Sequence, residues 1–295
     1  MTIVQLACFR CFVEEQSVTK AARRLHVTQP AVSQQIHLLA ENLGCALFHR
    51  SGSSFELTAQ GEFVYERAKG ILSQVEGLRE EIGSYGDKIV GKVRIGSGQL
   101  AAKTILADAV HELSAEYPEV SFSLFETYSS NLPELIRRTR VDLGIGILPR
   151  NAKGLRPVKL LSGRLVLICS QRNALSSRAS ISRSELRKLN LIRHSRENMA
   201  RAIAYELYGE DEMSGKFRLE AMNTETIMSY VQRDLGVALA SSYTIEWLNP
   251  SGIATVELEE ETEIPWGIMS DASRPLSKAA EVLVEKLTQR FSAPS

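Results

Sequence analysis

Residues 17–50 decide the fold of the N-terminal part of this chain, and they read SVTKAARRLHVTQPAVSQQIHLLAENLGCALFHR. Apolar residues recur at spacings of three and four in two short runs with a break between them, which predicts two helices joined by a tight turn. The second run places four apolar residues on one face that we expect to be buried: Val32, Ile36, Leu39 and Leu43. This layout is typical of a helix-turn-helix whose second helix lies in a groove of DNA.

The break between the two helices carries residues that suit the start of a helix. Thr28 offers a hydroxyl that caps a helix, and Pro30 suits the first turn, where a missing N–H costs nothing. The second helix is therefore predicted to begin near Gln29 and to stop at Gly44, in the position after a helix that glycine favours. Residues 51–54 are predicted to form the tip of a β-hairpin wing.

Several polar residues fall off the apolar face of the second helix, near its N-terminal end. Glutamine suits bidentate contact with adenine, and a serine hydroxyl can bond to bases or phosphates. The candidate base-contacting residues on this helix are Gln29, Ser33, Gln34 and His37.

This part of the chain resembles the N-terminal domain of the LysR-type transcriptional regulators, which are bacterial winged helix-turn-helix proteins. The resemblance is carried by Ala21-Ala22 with Leu25, Thr28 to Ser33, Ile36, Leu39, Leu43-Gly44, Leu47-Phe48 with Arg50, and Leu57-Thr58 with Gly61. It implies that the DNA contacts extend to Thr28, Pro30, Arg50 and Ser53. Because the family often has basic residues where this chain has Ser53 and Ser54, it also implies few phosphate contacts per subunit.

The charge of the chain is balanced overall and basic only locally. The 295 residues, enough for two or three domains, contain 35 Lys and Arg and 35 Asp and Glu. Residues 17–50 hold four basic residues against one acidic residue, a net charge of +3. A weak positive patch on a small domain fits a protein that presents two such domains at once. Since no run of 18 apolar residues occurs, we expect a cytoplasmic protein without a membrane span.

The sequence offers no catalytic, cofactor or metal motif. There is no G-x-S-x-G elbow, no P-loop and no pair of metal-spaced histidines. Cys8 and Cys11 lie on an apolar helical segment, so we interpret them as buried small side chains rather than as a zinc or redox pair. The sequence thus predicts neither an enzyme nor a resident cofactor.

A long helix is predicted to begin at Thr58 and to extend for about 40 Å. Its apolar residues alternate at spacings of four and three, which is a heptad seam over three repeats. The seam consists of Val64, Ala68, Ile71, Val75, Leu78, Ile82 and Tyr85. Such a seam favours pairing with the same helix of a second subunit, and the family resemblance implies an antiparallel pair. The alternative is a core helix packed within its own chain.

Strands and helices alternate after a hinge marked by Gly83, Gly86 and Gly91. This alternation predicts a mostly parallel α/β sheet. The strand at Trp266 and the helix from Lys278 have no sheet of their own, so we expect them to return to the first subdomain. The resemblance implies a periplasmic-binding-protein-like effector domain of two lobes with a ligand in the cleft.

The predicted fold is thus an all-α winged helix-turn-helix N-terminal domain plus a long linker helix, followed by an α/β two-lobed effector domain. The expected boundaries are residues 1–57 for the DNA-binding domain, 58–87 for the dimerisation helix and hinge, and 88–295 for the effector domain. Lobe I is expected to comprise residues 88–162 and 267–295, and lobe II residues 163–266. The acidic run 257–263 is interpreted as a solvated loop or an edge strand.

Polar segments follow several of the predicted strands, where helix N-termini point into a crevice and ligands collect. The candidate effector-binding residues are Ser97, Gly98, Gln99, Tyr128, Ser129, His194, Ser195, Arg196, Asn223 and Thr224. Their hydroxyls, with one guanidinium, suit a small organic anion. Serines at strand ends are also ordinary helix caps, which is the other interpretation of the same residues.

The sequence therefore predicts a transcriptional regulator whose operator binding or activation is controlled by a small effector. The alternative is a two-lobed small-molecule-binding protein without regulatory DNA binding. The partners implied are double-stranded DNA with two or more half-sites, the effector, further copies of the chain in a homodimer or homotetramer, and RNA polymerase.

Overall fold

The computed structural model describes residues 1–51, 54–83, 88–209 and 217–292. The chain divides into two compact units, an N-terminal unit of residues 1–88 with 137–140 and a C-terminal unit of residues 89–136 with 141–295. Within the described ranges, every helix is too short or too polar to cross a membrane.

The described residues of the N-terminal unit form four helices and a two-stranded hairpin. Its elements are α1 (Ile3–Glu15), α2 (Val18–Arg24), α3 (Gln29–Leu43), β1 (Phe48–Ser51), β2 (Ser54–Leu57) and α4 (Ala59–Gly83). The ends of α3 follow from its sequence. The Thr28 hydroxyl accepts a hydrogen bond from the Ala31 N–H, Pro30 occupies the first turn, and Gly44 has a φ of 66°. The predicted helix-turn-helix and the two strands of its wing are confirmed, and Gly52 and Ser53 of the predicted wing tip lie outside the described residues.

Apolar side chains from all four helices meet in one core in this unit. Ala21 and Ala22 are buried, and their small side chains let α2 approach its neighbours closely. The rings of Phe12, Phe48 and Phe55 join the hairpin to α1, with centroids 5.1 to 5.5 Å apart. The prediction that Leu43 is buried is wrong. It lies in the last turn of α3 and is 38% exposed, because the chain turns away at Gly44 before another element covers it.

The first turns of α4 pack on the core of their own unit. Ala68 is 1% exposed, and Val64 and Ile71 are partly buried in the same cluster. The alternative of a core helix packed within its own chain thus applies at Ala68, since an amphipathic helix beside an unfinished core buries its apolar face there, and pairing through Val64 and Ile71 stays a prediction. Further along, Leu78 is 55% exposed. Tyr85 lies outside the described residues, and Ile82 is described only as part of the α4 backbone.

The C-terminal unit alternates strands and helices. Its strands are β3 (Gly91–Ser97), β4 (Val120–Glu126), β5 (Leu143–Ile147), β6 (Leu155–Ser170), β7 (Ser180–Ile181), β8 (Leu191–His194), β9 (Phe217–Ala221), β10 (Ala238–Ser241), β11 (Ile253–Leu258) and β12 (Glu263–Asp271). Its α-helices are α5 (Gln99–Ala101), α6 (Ala107–Glu116), α7 (Leu132–Arg137), α8 (Arg183–Leu186), α9 (Met199–Tyr208), α10 (Thr224–Val231), α11 (Ser242–Leu248) and α12 (Lys278–Ser292). A π-helical turn, Ala102–Leu106, joins α5 to α6.

The described strands form one large mixed sheet and a separate pair. The order is β4-β3-β5-β12-β6-β11-β7, with β10 also paired to β6, while β8 pairs with β9. The strands β3, β4 and β5 are parallel, but β12 and β6 run antiparallel to their neighbours. The prediction of a mostly parallel sheet is therefore wrong, because the two strands that cross between the lobes enter it in the opposite direction.

Both crossings between the lobes are made by single continuous strands. The expected lobe boundaries at 162/163 and 266/267 fall inside β6 and β12, and β12 has an irregular register between Trp266 and Gly267. We keep the names lobe I and lobe II for the residue ranges given above. The sequence prediction missed the first half of β6 and the whole of β7, β11 and α11. Leu283 and Leu287 of α12 are buried in the core that also holds Val93 and Ile95 of β3, in lobe I.

The acidic run 257–263 ends β11, continues through a loop and enters β12. Glu257 pairs with Arg164 of β6 at 3.0 Å. The segment is therefore strand at both ends and loop in between, so each of the two interpretations holds for part of it.

Candidate functional site

The polar face of α3 is exposed to solvent along its whole length. Gln29, Ser33, Gln34 and His37 are exposed, whereas the apolar positions between them are buried. The Thr19 hydroxyl donates a hydrogen bond to the Gln29 Oε1 (3.3 Å), which leaves the amide nitrogen of Gln29 free to donate. His37 Nε2 lies 3.2 Å from Glu41 Oε1 on the next turn. The arrangement presents side-chain amides and a hydroxyl in the way that base-edge recognition requires.

The cations near this face are not equivalent. The Arg24 guanidinium contacts both Glu14 and Glu15, at 2.9 and 3.0 Å, and its hydrogen bond to Glu15 raises its pKa. Lys20 and Arg23 are exposed and form no ion pair with any residue that the structure describes. They are the better placed pair for contacting phosphates, although the sequence alone gave no reason to prefer them over Arg24.

One of the predicted DNA-contacting residues lies on a described strand of the wing. Arg50 is on β1, opposite Phe55 of β2 in the hairpin register. Ser53 lies outside the described residues. Thr28 and Pro30 are exposed at the start of α3, beside the four polar residues of its outer face.

A cavity of about 600 Å³ lies between the two lobes of the C-terminal unit. Seven of the ten predicted effector-binding residues line it: Gly98, Gln99, Tyr128, Ser129, His194, Asn223 and Thr224. The prediction is wrong for Ser97, Ser195 and Arg196. Ser97 is fully buried within β3, and Arg196 is exposed away from the cavity wall. Ser195 instead donates a hydrogen bond from its hydroxyl to the Tyr128 hydroxyl.

Five helical segments begin at the cavity, because each follows a strand whose carboxyl end opens there. Their N-cap residues are Gly98, Tyr128, Asn198, Asn223 and Ser241. Asn198 and Asn223 cap their own helices with side-chain oxygens. The other three caps provide no side-chain hydrogen bond, so the N–H groups that follow them remain available to a ligand.

His194 lies at the back of the cavity and is 4% exposed. Its Nε2 is 3.0 Å from the Thr224 Oγ1, and the Arg201 guanidinium donates to its backbone carbonyl at 2.6 Å. Burial first, and then the charge of Arg201, lowers the pKa of His194 to about 4. The ring is therefore neutral at neutral pH, and it acts as a polar wall rather than as a cation.

A chain of hydrogen bonds joins the two lobes at the edge of the cavity. The Tyr128 hydroxyl donates to the Met222 carbonyl (3.3 Å) while it accepts from Ser195 (3.1 Å). The Ser130 hydroxyl donates to the Glu197 carbonyl at 2.6 Å. Because these bonds span the cleft, they hold the lobes in this relative position. We call them the interlobe bonds.

Sequence reasoning missed the wall formed by β10 and α11. Ser241, Thr244 and Leu248 line the cavity together with Trp266 of β12. The buried run Ala238–Ala240 followed by two serines was the available signal, since it repeats the pattern of a strand leading into a polar helix start.

The chain matches two sequence families. The LysR substrate binding domain matches residues 86–292, and the bacterial regulatory helix-turn-helix protein of the lysR family matches residues 3–62. The chain belongs to the LysR family. Proteins of this family are transcriptional regulators that bind DNA and carry an effector-binding domain, and they are not enzymes.

Similar proteins cover nearly the whole of this LysR-family chain. The transcriptional regulator YybE of Bacillus subtilis is 28% identical over 98% of both chains. A structure of a full-length OxyR variant from Pseudomonas aeruginosa has a TM-score of 0.76, with 23% identity over 97% of this chain and 94% of that one. Full-length CbnR complexed with its target DNA has a TM-score of 0.66, with 18% identity over 99% and 100%. The structural likenesses establish the fold.

Proposed function

We propose that a small organic anion, bound in the cavity between the lobes, controls the operator binding or the activating function of this LysR-family regulator. The observation that carries the proposal is the meeting of five helix N-termini around one cavity, three of them without a side-chain cap. Their N–H groups and the hydroxyls of Ser129 and Thr244 supply the hydrogen bonds that an anion needs. Positive potential in this cavity comes from backbone rather than from side-chain cations.

DNA is read, in this proposal, by the exposed face of α3 and by the wing. Gln29, Gln34 and Ser33 contact base edges, and Lys20 and Arg23 contact phosphates. The proposed contacts also include Thr28, Pro30, His37, Arg50 and Ser53. The structure of CbnR complexed with its target DNA supports a DNA-bound state for a chain of this fold.

Two copies of the chain pair, in this proposal, through the later turns of α4. Val75 is partly buried and Leu78 is exposed, with Ile82 and Tyr85 next in the same heptad register. Pairing places two helix-turn-helix domains on two half-sites. A homotetramer, contact with RNA polymerase and a cytoplasmic location complete the proposal on the basis of the family.

Thiol oxidation is a poorer candidate for the signal than a bound effector. Cys8, Cys11 and Cys169 are buried, and burial raises the pKa of each thiol, which disfavours the reactive thiolate. None of the residues that the structure places on the cavity wall is a cysteine.

The DNA-binding part of the proposal is tested by gel shift against the upstream region of the protein's own gene. We expect the affinity to fall steeply as salt rises, and Gln34→Ala to lose about tenfold in operator affinity, since one bidentate base contact contributes about 1–3 kcal/mol. Asn42→Ala is the matched control, because it removes an exposed side-chain amide from the C-terminal end of the same helix. Equal losses in the two variants would contradict the assigned face.

The effector part is tested at Gly98, where a Cβ would lie 3.8 Å from its nearest neighbour, the Thr127 carbonyl oxygen. The side chain of Gly98→Asp therefore fits. Its carboxylate caps the N–H groups that are proposed to donate hydrogen bonds to the anion. A panel of small carboxylic acids is added to the operator gel shift. We expect an acid that changes the operator affinity of the wild-type protein to leave the affinity of Gly98→Asp unchanged. The same acid should still change the operator affinity of Gly98→Ala. A full response in Gly98→Asp would exclude this helix start as the anion site.

A further inference from the structure

The charged side chains on the cavity wall are carboxylates. Among the lining residues that the structure describes, Glu126 and Glu225 are charged, and there is no lysine or arginine. His194 adds no positive charge, because burial keeps its ring neutral. A purely anionic effector would therefore meet two carboxylates on the wall, one of them paired with Lys103, and no lysine or arginine among the lining residues that the structure describes.

The two carboxylates come from opposite lobes. Glu126 ends β4 in lobe I, and Glu225 lies in the first turn of α10 in lobe II. Glu126 forms no ion pair with any residue in the described ranges. Glu225 lies 3.6 Å from Lys103, but the side chains of both are about half exposed. Because an exposed pair of this kind contributes little to stability, a ligand can replace Lys103 at little cost.

We infer that the effector carries a protonated amino group in addition to its anionic group, and that Glu126 and Glu225 hold this ammonium between the lobes. The inference rests on the proposed function, because it assigns a chemical class to the ligand of the same cavity. The anionic group lies at the uncapped start of the helical segment 99–116. An ammonium between the carboxylates attracts both lobes at once, which an anion alone does not do.

The rest of the wall fits the remainder of such a molecule. Thr244 is 7% exposed, lines the cavity, and its hydroxyl forms no hydrogen bond with any residue that the structure describes. Leu100, Met199, Leu248 and Trp266 provide apolar surface. A cavity of about 600 Å³ therefore takes an amphoteric molecule with an apolar side chain, which is the composition of an α-amino acid.

The test is calorimetric titration of the full-length protein with the common L-α-amino acids and with the 2-hydroxy acids that carry the same side chains. The amino acid and the 2-hydroxy acid of each pair share the carboxylate and the side chain. They differ in that the 2-hydroxy acid has a hydroxyl in place of the ammonium. We expect at least one amino acid to bind, with its 2-hydroxy acid weaker by about tenfold or more. Equal or tighter binding of the 2-hydroxy acid overturns the inference, and so does the absence of binding by every amino acid.

A double variant, Glu126→Gln with Glu225→Gln, separates charge recognition from a change in fold. We expect its affinity for the amino acid to fall by about tenfold or more, while its affinity for the 2-hydroxy acid stays the same or rises. Glu285→Gln is the matched control. It removes an exposed carboxylate of α12 that forms no ion pair with any described residue and does not line the cavity. Equal loss for both ligands in the double variant would show a structural effect and overturn the inference.

The operator gel shift distinguishes this inference from the proposed function. If carboxylic acids without an amino group change the operator affinity and amino acids do not, the proposed function stands and the inference is refuted. A protein that binds amino acids through the two carboxylates but does not bind its operator refutes the proposed function alone.

Discussion

Two glycines of the N-terminal unit lack a side chain for opposite reasons. A Cβ on Gly61, in the first turn of α4, would lie 1.8 Å from the Leu47 carbonyl oxygen. A Cβ on Gly44 would meet no atom within 4 Å, but its φ of 66° is one that other residues adopt at a cost. Close packing therefore requires the first glycine, whereas backbone conformation requires the second.

Gly61→Ala is accordingly expected to destabilise the protein by about 3 kcal/mol, because the contact is with backbone that cannot rotate away. Gly44→Ala is expected to cost only about 1 kcal/mol. Urea unfolding followed by circular dichroism measures both. A smaller loss for Gly61→Ala than for Gly44→Ala would show that α4 shifts to make room.

A second prediction at this scale concerns how the pKa of His194 makes stability depend on pH. Because the folded pKa of about 4 lies below the ordinary value of 6.5, the unfolded chain takes up a proton between these pH values and the folded chain does not. The free energy of unfolding should fall as the pH is lowered through this range, by about 3 kcal/mol in all. His194→Gln, which keeps a nitrogen near Thr224, should reduce this fall. Unfolding at neutral pH and at about pH 4.5 tests this, and identical pH dependence in the two proteins would contradict it.

At the scale of elements, the amphipathic pattern of a helix predicts that its apolar face is covered, but not which neighbour covers that face. The face of α4 that carries Ala68 completes the core of its own unit, while Leu78 on the same face is exposed. One heptad pattern thus serves two different purposes along one helix. The same limit applies to β4, whose Leu124 and Phe125 are exposed although the sequence alternates as a half-buried strand should. Among the strands that the structure describes, β4 lies at the edge of its sheet and pairs only with β3.

Leu78→Asp is expected to convert the proposed dimer to a monomer without loss of folding. Leu78 is not part of the core of its own unit, and in the proposed dimer the partner helix covers it. Analytical ultracentrifugation measures the mass, and circular dichroism checks the helix content. Gln74→Asp, one turn earlier and also exposed, is the control for placing aspartate in α4. A dimeric Leu78→Asp variant would refute this part of the seam.

At the scale of the whole molecule, an effector acts only through its different affinity for two arrangements of the protein. The interlobe bonds define one such arrangement, because they connect side chains of lobe I to two backbone carbonyls and a serine hydroxyl of lobe II. A ligand whose groups contact both walls favours the closed lobes. In the proposed function, a change in operator affinity begins with a change in how these lobes meet.

Tyr128→Phe is expected to loosen this arrangement, because it removes the hydroxyl that bonds to both Met222 and Ser195. Amide hydrogen exchange should become faster around residues 195–198 and 221–223. Tyr230→Phe, at an exposed tyrosine without a hydrogen bond across the lobes in the described ranges, is the control. Unchanged exchange in Tyr128→Phe would show that the interlobe bonds do not hold the lobes.

Local chemistry made much of the N-terminal unit and the helix starts of the cavity predictable. Thr28, Pro30 and Gly44 define the ends of α3 through capping and backbone geometry, which depend only on neighbours in the chain. For the same reason, Gly98, Ser129 and Thr224 were identified as cavity residues from strands that lead into helices. The family resemblance came from the same stretch of residues.

Tertiary structure alone decided which of these side chains meet. Sequence did not reveal that β6 and β12 run through both lobes, because a strand's partners lie far along the chain. It did not show that the Ser195 hydroxyl is used by Tyr128, that Arg196 is turned away, or that Glu126 and Glu225 line opposite walls. Capping and periodicity act over a few residues, whereas the charge and shape of a cavity depend on segments that only the complete fold brings together.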